Sequence, residues 1–84
     1  MKYTVVWTPK AQRDLATIWT TAADRKAVSA ATNRIDYVLA RNPHGVGESR
    51  SAIARLLIVK PLAVLYRVQD QDCLVTVGAV WTIG

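Results

Sequence analysis

Two side chains on one short polar segment have the chemistry to move a proton near neutral pH. His44 and Glu48 stand four residues apart in Pro43-His44-Gly45-Val46-Gly47-Glu48-Ser49-Arg50-Ser51. Histidine ordinarily titrates at about 6.5, and a carboxylate is a ready hydrogen-bond acceptor, so the pair has the makings of an acid and a base. Around them Arg50, Arg55, Lys60 and Arg67 concentrate positive charge in the C-terminal half. The planar fork of arginine suits phosphate and carboxylate alike, so these cations read as an anion-contacting patch for nucleic acid or an acidic peptide. The plainer alternative is a set of strand-edge charges that discourage sheet-to-sheet aggregation, with Arg67 paired to Asp70 or Asp72.

Other chemistries have little support. Cys73 is the only cysteine, which leaves no disulfide framework and no metal-ligand cluster, and it reads as a small buried apolar residue in a strand. Gly45 and Gly47 do not form a phosphate loop, because no strand directly precedes them and no helix follows to offer its N-terminus. No nucleotide or other cofactor is expected. Trp7, Trp19 and Trp81 fall on apolar segments and read as core; Trp81, close to the chain's end, is also a candidate stacking surface.

The elements that must hold these residues follow from punctuation and period. Tyr3 to Trp7 is a β-branched and aromatic run that stops at Thr8-Pro9, a helix N-cap followed by proline at the first helical position. Ala11, Leu15, Ile18, Trp19 and Ala22 then recur at helical spacing, and this stripe is expected to pack on a sheet. Asp24 caps a second helix with Val28, Ala31, Ile35, Val38 and Leu39 on its apolar face, ended by Arg41-Asn42-Pro43. Arg25, Ser29, Asn33, Arg34, Asp36 and Arg41 make its solvated face. Residues 43 to 51 form a loop. Strands are expected near Ile53 to Val59, Leu62 to Gln69 and Cys73 to Trp81, with Pro61 at the entry to the middle one and Asp70-Gln71-Asp72 closing a hairpin. By alternation, Leu62, Val64, Tyr66 and Val68 face the core. Ala63, Leu65, Arg67 and Gln69 face outward, joined by Arg55, Leu57 and Val59 and by Thr76, Gly78, Val80 and Thr82.

Eighty-four residues make one domain, 1–84, and 51% hydrophobic residues argue against disorder. Eleven Lys and Arg against six Asp and Glu give a charge of +5, which favours polyanionic partners but does not choose among them. The N-terminus lacks a secretory apolar stretch and no apolar run approaches the ~20 residues that span a bilayer, so a cytoplasmic protein without membrane association is expected.

The order β-α-α-β-β-β, the length, the charge and the run Pro61-Leu62-Ala63-Val64-Leu65-Tyr66-Arg67-Val68 together resemble the RelE/ParE superfamily of type II toxin-antitoxin toxins. The resemblance implies an α+β fold in which a helical hairpin packs on one face of a mainly antiparallel four-stranded sheet. It also implies a cognate acidic antitoxin, with the ribosome and its mRNA or DNA gyrase as target. Ribonuclease members place an arginine on the middle strand and a Tyr, His or Arg at the end of the last, on the open face of the sheet. RNA cleavage through the 2′-hydroxyl needs a base, an acid and cations for the charged phosphorane. Here the resemblance puts Ala63 at the arginine position and leaves no titratable side chain after Trp81, so Glu48 and His44 are what remains for catalysis. Arg50, Arg55, Lys60, Arg67 and Trp81 remain for binding nucleic acid or antitoxin. A gyrase inhibitor, which needs no catalytic set, and a non-toxic binding module are the readings this favours over an mRNA endoribonuclease.

Overall fold

The computed structural model describes residues 2–83. Strand β1 (Thr4–Trp7) leads into α1 (Pro9–Thr21), whose first turn is closed by Thr8: its hydroxyl accepts from the Ala11 N–H at 3.1 Å. Helix α2 (Arg25–Arg41) starts in the same way, with the Asp24 carboxylate accepting from the Ala27 N–H at 3.0 Å. The strands β2 (Glu48–Ser49), β3 (Arg55–Val59), β4 (Leu62–Gln69) and β5 (Leu74–Thr82) follow, with a 3₁₀ turn at Asp70–Asp72 before the last. Their order across the sheet is β1-β5-β4-β3-β2, antiparallel throughout except for the parallel pair β1 and β5. Among the described residues the sheet thus has five strands rather than the expected four. The extra one, β2, lies inside the segment read as loop, where two polar residues carry no alternating apolar signal.

Both helices cover one face of the sheet. Ala11 from α1 and Val28, Ala31, Ile35 and Leu39 from α2 pack against Leu57, Leu62, Val64, Tyr66, Val75, Val77 and Val80. Trp19 does not join them: it is 44% exposed, the Arg25 guanidinium lies 4.8 Å from its ring centroid, and its indole N–H donates to Ser29 at 3.1 Å. Arg25 also donates to the carbonyls of Trp19 and Thr20, at 3.1 and 2.9 Å. These are among the last carbonyls of α1, which have no partner within the helix, so Arg25 closes the corner between the helices rather than being merely solvated.

The face assignments need two corrections. A two-residue turn at Lys60-Pro61 sets Val59 opposite Leu62, and the register continues with Leu57 opposite Val64 and Arg55 opposite Tyr66. Cross-strand partners share a face, so Arg55, Leu57 and Val59 lie on the helix side, not the open side, and Leu56 and Ile58 take the open side. On β5, Ala79 pairs with Leu65 but Val77 pairs with Tyr66, which leaves Gly78 as the extra residue of a β-bulge. Past the bulge the parity inverts. Val80 is buried at 5% exposure and Thr82, opposite Leu62, shares its side, while Ala79 and Trp81 turn outward. Thr76, before the bulge, faces outward opposite Arg67 as the alternation predicts. Cys73 is neither fully buried nor in a strand: it is half-buried and turns the chain into β5 with a left-handed φ of 47°.

Candidate functional site

The uncovered face of the sheet is built from Val6 of β1, Thr76, Ala79 and Trp81 of β5, Ala63, Leu65 and Arg67 of β4, and Leu56 and Ile58 of β3. It is largely apolar. Val6, Ile58 and Trp81 are 40%, 52% and 40% exposed, and Ile53, in the segment leading into β3, is 68% exposed. Exposed apolar side chains gathered on one face are the kind of surface that a binding partner would cover. Ala63 stands between Ile58 and Trp81 on its two neighbouring strands and is itself buried.

Arg67 is the cation of this face. Strand β3 begins opposite Tyr66, so β4 runs on beyond it, and the 51–54 segment fills part of the gap. Two adjoining grooves result. One, of about 350 Å³, is lined by Ile53, Leu65, Arg67, Thr76 and Ala79; the other, of about 340 Å³, by His44, Ser49, Ser51, Arg55, Arg67 and Gln69. Arg67 borders both. It makes no ion pair or side-chain hydrogen bond among the described residues, so neither Asp70 nor Asp72 neutralises it.

The other predicted cations are engaged or distant. The Arg55 guanidinium donates to the carbonyls of His44, Val46 and Gly47 at 3.0, 3.2 and 3.4 Å, and its Nε to the Tyr66 hydroxyl at 3.4 Å. Arg50 lies 2.7 Å from the Glu48 carboxylate, so each answers the other's charge, with both side chains more than half exposed. Lys60 sits on the β3–β4 turn, at the opposite end of β4 from Arg67 and about 20 Å away by strand rise.

His44 has a partner that composition does not suggest. Its Nε2 lies 2.7 Å from Oδ1 of Asp70, the same oxygen that accepts from the Tyr3 hydroxyl at 2.7 Å. The His44 hydrogen bond first, then that of Tyr3, holds the Asp70 carboxyl below its usual range. Donation to Asp70 in turn raises the Tyr3 phenol. This cluster ties the loop after α2 to the turn after β4 and to the residue before β1. In sequence Asp70 reads only as a turn former or a partner for Arg67.

Alternation places Tyr66 in the core, and its ring is there at 1% exposure. What its hydroxyl does is not visible in sequence: its single proton is shared between the carbonyls of Pro43, at 2.7 Å, and Val46, at 2.8 Å. Burial pushes its pKa up, against the lowering effect of Arg55. Among the described residues no three His, Cys, Asp or Glu side chains converge, and no helix is long and apolar enough to cross a membrane.

A helical hairpin on one face of a mostly antiparallel sheet, with the other face open, is an arrangement shared with solved toxins of toxin-antitoxin pairs. The fold is similar to a chain of the toxin-antitoxin complex RelBE2 from Mycobacterium tuberculosis, with a TM-score of 0.79 at 25% identity over 99% of this chain and 100% of that one. It is also similar to a chain of the chromosomal ParDE system from P. aeruginosa (TM-score 0.70, 20% identity, 99% and 98% covered). The isolated E. coli RelE toxin gives 0.71 at 14% identity, with 98% and 85% covered. No curated protein matches the chain in sequence. The profile described as "ParE toxin of type II toxin-antitoxin system, parDE" matches residues 5–82, and the chain belongs to that family. It is the toxin of a type II toxin-antitoxin pair.

Proposed function

We propose that this toxin acts by gripping a protein target, DNA gyrase, through the open sheet face, and that an acidic antitoxin neutralises it in the cytoplasm by binding the same single domain. One observation carries the reading: the groups that phosphodiester cleavage requires do not converge on the open face. Arg55 is engaged by loop carbonyls, Arg50 by Glu48, and Ala63 occupies the middle of the face between Ile58 and Trp81. What the face offers is apolar area with one unpaired arginine, the composition of a protein-binding anchor. In a supercoiling assay the purified chain should inhibit gyrase, and equimolar antitoxin should restore activity. Full supercoiling at a large excess of toxin would sink the gyrase assignment.

A second reading rests on the His44–Asp70 pair. A carboxylate 2.7 Å from an imidazole orients the ring, and this one borders the groove that also holds Arg55 and Arg67. On that reading His44 takes the 2′-hydroxyl proton of an RNA strand held by Arg67. Mapping transcript ends after induction separates the two: sharp cuts abolished by His44→Gln establish the nuclease, and their absence leaves the binding toxin.

A further inference from the structure

Helix α2 presents a second surface, turned away from both the sheet and α1. Lys26, Ala30, Asn33, Arg34, Tyr37 and Arg41 recur every three or four residues, so they form one stripe along the helix, and all are exposed. At 1.5 Å per residue the stripe runs roughly 22 Å from Lys26 to Arg41. It contains no acidic residue. Asp36, the nearest on the helix, is turned to the flank, where it accepts from the Trp7 indole N–H at 2.8 Å.

At its centre Tyr37 is 52% exposed, unusually open for a large aromatic side chain on a helix. The Arg41 guanidinium lies 4.0 Å from its ring centroid and that of Arg34 5.9 Å. Neither arginine has a carboxylate or a hydrogen-bond acceptor among the described residues. The ring therefore orders two guanidinium groups, through contacts that leave their N–H edges unused, on a side chain still half open to solvent. Fixing those arginines costs side-chain entropy, and nothing in the fold is held by them.

We propose that this stripe is a sequence-independent binding site for single-stranded nucleic acid, in which Lys26, Arg34 and Arg41 meet successive phosphates and Tyr37 stacks on an unpaired base. Three observations select that ligand. The cations lie in a line and lack internal counter-ions, which suits a linear polyanion. Their spacing is interrupted by an exposed aromatic ring, which a strand with free base faces can use and a duplex, with its bases already stacked, cannot. The remaining positions are small or polar, Ala30 and Asn33, without the aliphatic anchors that a folded protein partner would fill. The site lies on the opposite side of the molecule from the open sheet face, so it is independent of the gyrase reading.

The test is fluorescence anisotropy of a labelled mixed-sequence 12-nucleotide strand titrated with the full-length chain at two salt concentrations. Arg34→Gln with Arg41→Gln should weaken binding at low salt and reduce the slope of log affinity against log salt by about 1.4, at about 0.7 for each phosphate left without its arginine. Tyr37→Leu should weaken it roughly five- to a hundredfold with the slope kept, and Tyr37→Phe should retain wild-type affinity. Lys2→Gln with Arg13→Gln, which removes the same charge elsewhere, should leave affinity within twofold. Unchanged circular dichroism confirms that each variant is folded. Equal losses from the two double variants, or a Tyr37→Leu protein that binds like wild type, would overturn the site. So would a duplex bound as tightly as the single strand, or a polyglutamate peptide that displaces the strand at equal charge concentration.

Discussion

Arg55 and Tyr66 face each other across β3 and β4, and between them they hold the loop from Pro43 to Gly47 against the sheet. The tyrosine hydroxyl serves two loop carbonyls from inside the core, while the guanidinium serves three from the rim. Val46 is held by both. A residue that charge alone marks as a ligand contact is therefore a structural tie, and the loop that carries His44 is anchored rather than free.

Replacing Tyr66 by phenylalanine removes the hydroxyl and keeps the ring. The Pro43 carbonyl then loses its donor at a buried position, which should cost about 1 to 3 kcal/mol in urea unfolding. Arg55→Ala should cost a comparable amount while leaving the binding of single-stranded nucleic acid within twofold. If Arg55→Ala instead abolishes binding to gyrase or nucleic acid without loss of stability, the arginine is a contact residue and the tie is incidental.

Gly47 is the second fastening of that loop. Its φ is +68°, and an added Cβ would stand 2.4 Å from the Leu56 carbonyl oxygen, a backbone atom that cannot move aside cheaply. Gly47→Ala should lower stability by about 1 to 3 kcal/mol. Gly78→Ala, in the β5 bulge, meets nothing within 4 Å and should leave the thermal midpoint nearly unchanged. The reverse ranking would mean that the bulge, not the loop, needs glycine.

Acid should loosen the other end of the same loop. The folded-state pKa of Asp70 is depressed, so its contribution is present above the unfolded carboxyl value near 3.8 and is lost as pH falls through the lower folded value. Thermal midpoints at pH 6 and pH 2.5 should fall further apart for wild type than for Asp70→Asn. Equal falls would show that the ionised Asp70 carboxylate adds nothing to stability.

On the open face, Arg67→Glu combined with Ile53→Asp should abolish inhibition of gyrase supercoiling, because one reverses the unpaired cation and the other puts charge on the most exposed apolar side chain. Arg13→Glu combined with Ala16→Asp, which makes the same change of charge at two exposed positions of α1, is the matched control. Arg25 is unsuitable for that purpose, since it closes the end of α1.

Much of this fold is legible in sequence because its signals are local. Thr8-Pro9 and Asp24 announce the two helices, and the helical stripes include every helix residue at the centre of the core, Ala11 from α1 and Val28, Ala31, Ile35 and Leu39 from α2. What is illegible depends on pairing across distance. Alternation carries no memory of register between strands, so it puts Arg55 on the wrong face, and a single bulge at Gly78 turns Val80 and Thr82 around. The fifth strand is two polar residues long, defined only by its pairing with β3. Likewise, that Asp70 meets His44, 26 positions earlier, is a property of the closed fold and of no motif.

The position of β5 sets a schedule. It is the last described strand to leave the ribosome, yet it lies inside the sheet, between β1 and β4. Until it emerges, β1 has no strand to pair with and the α1–α2 hairpin has only part of a surface to pack on. The pairing of β1 with β5 spans nearly the whole chain, so it closes a long loop and its entropy cost falls late. The face that carries Thr76, Ala79 and Trp81 is therefore complete only after β5 has been translated and has entered between its two neighbours.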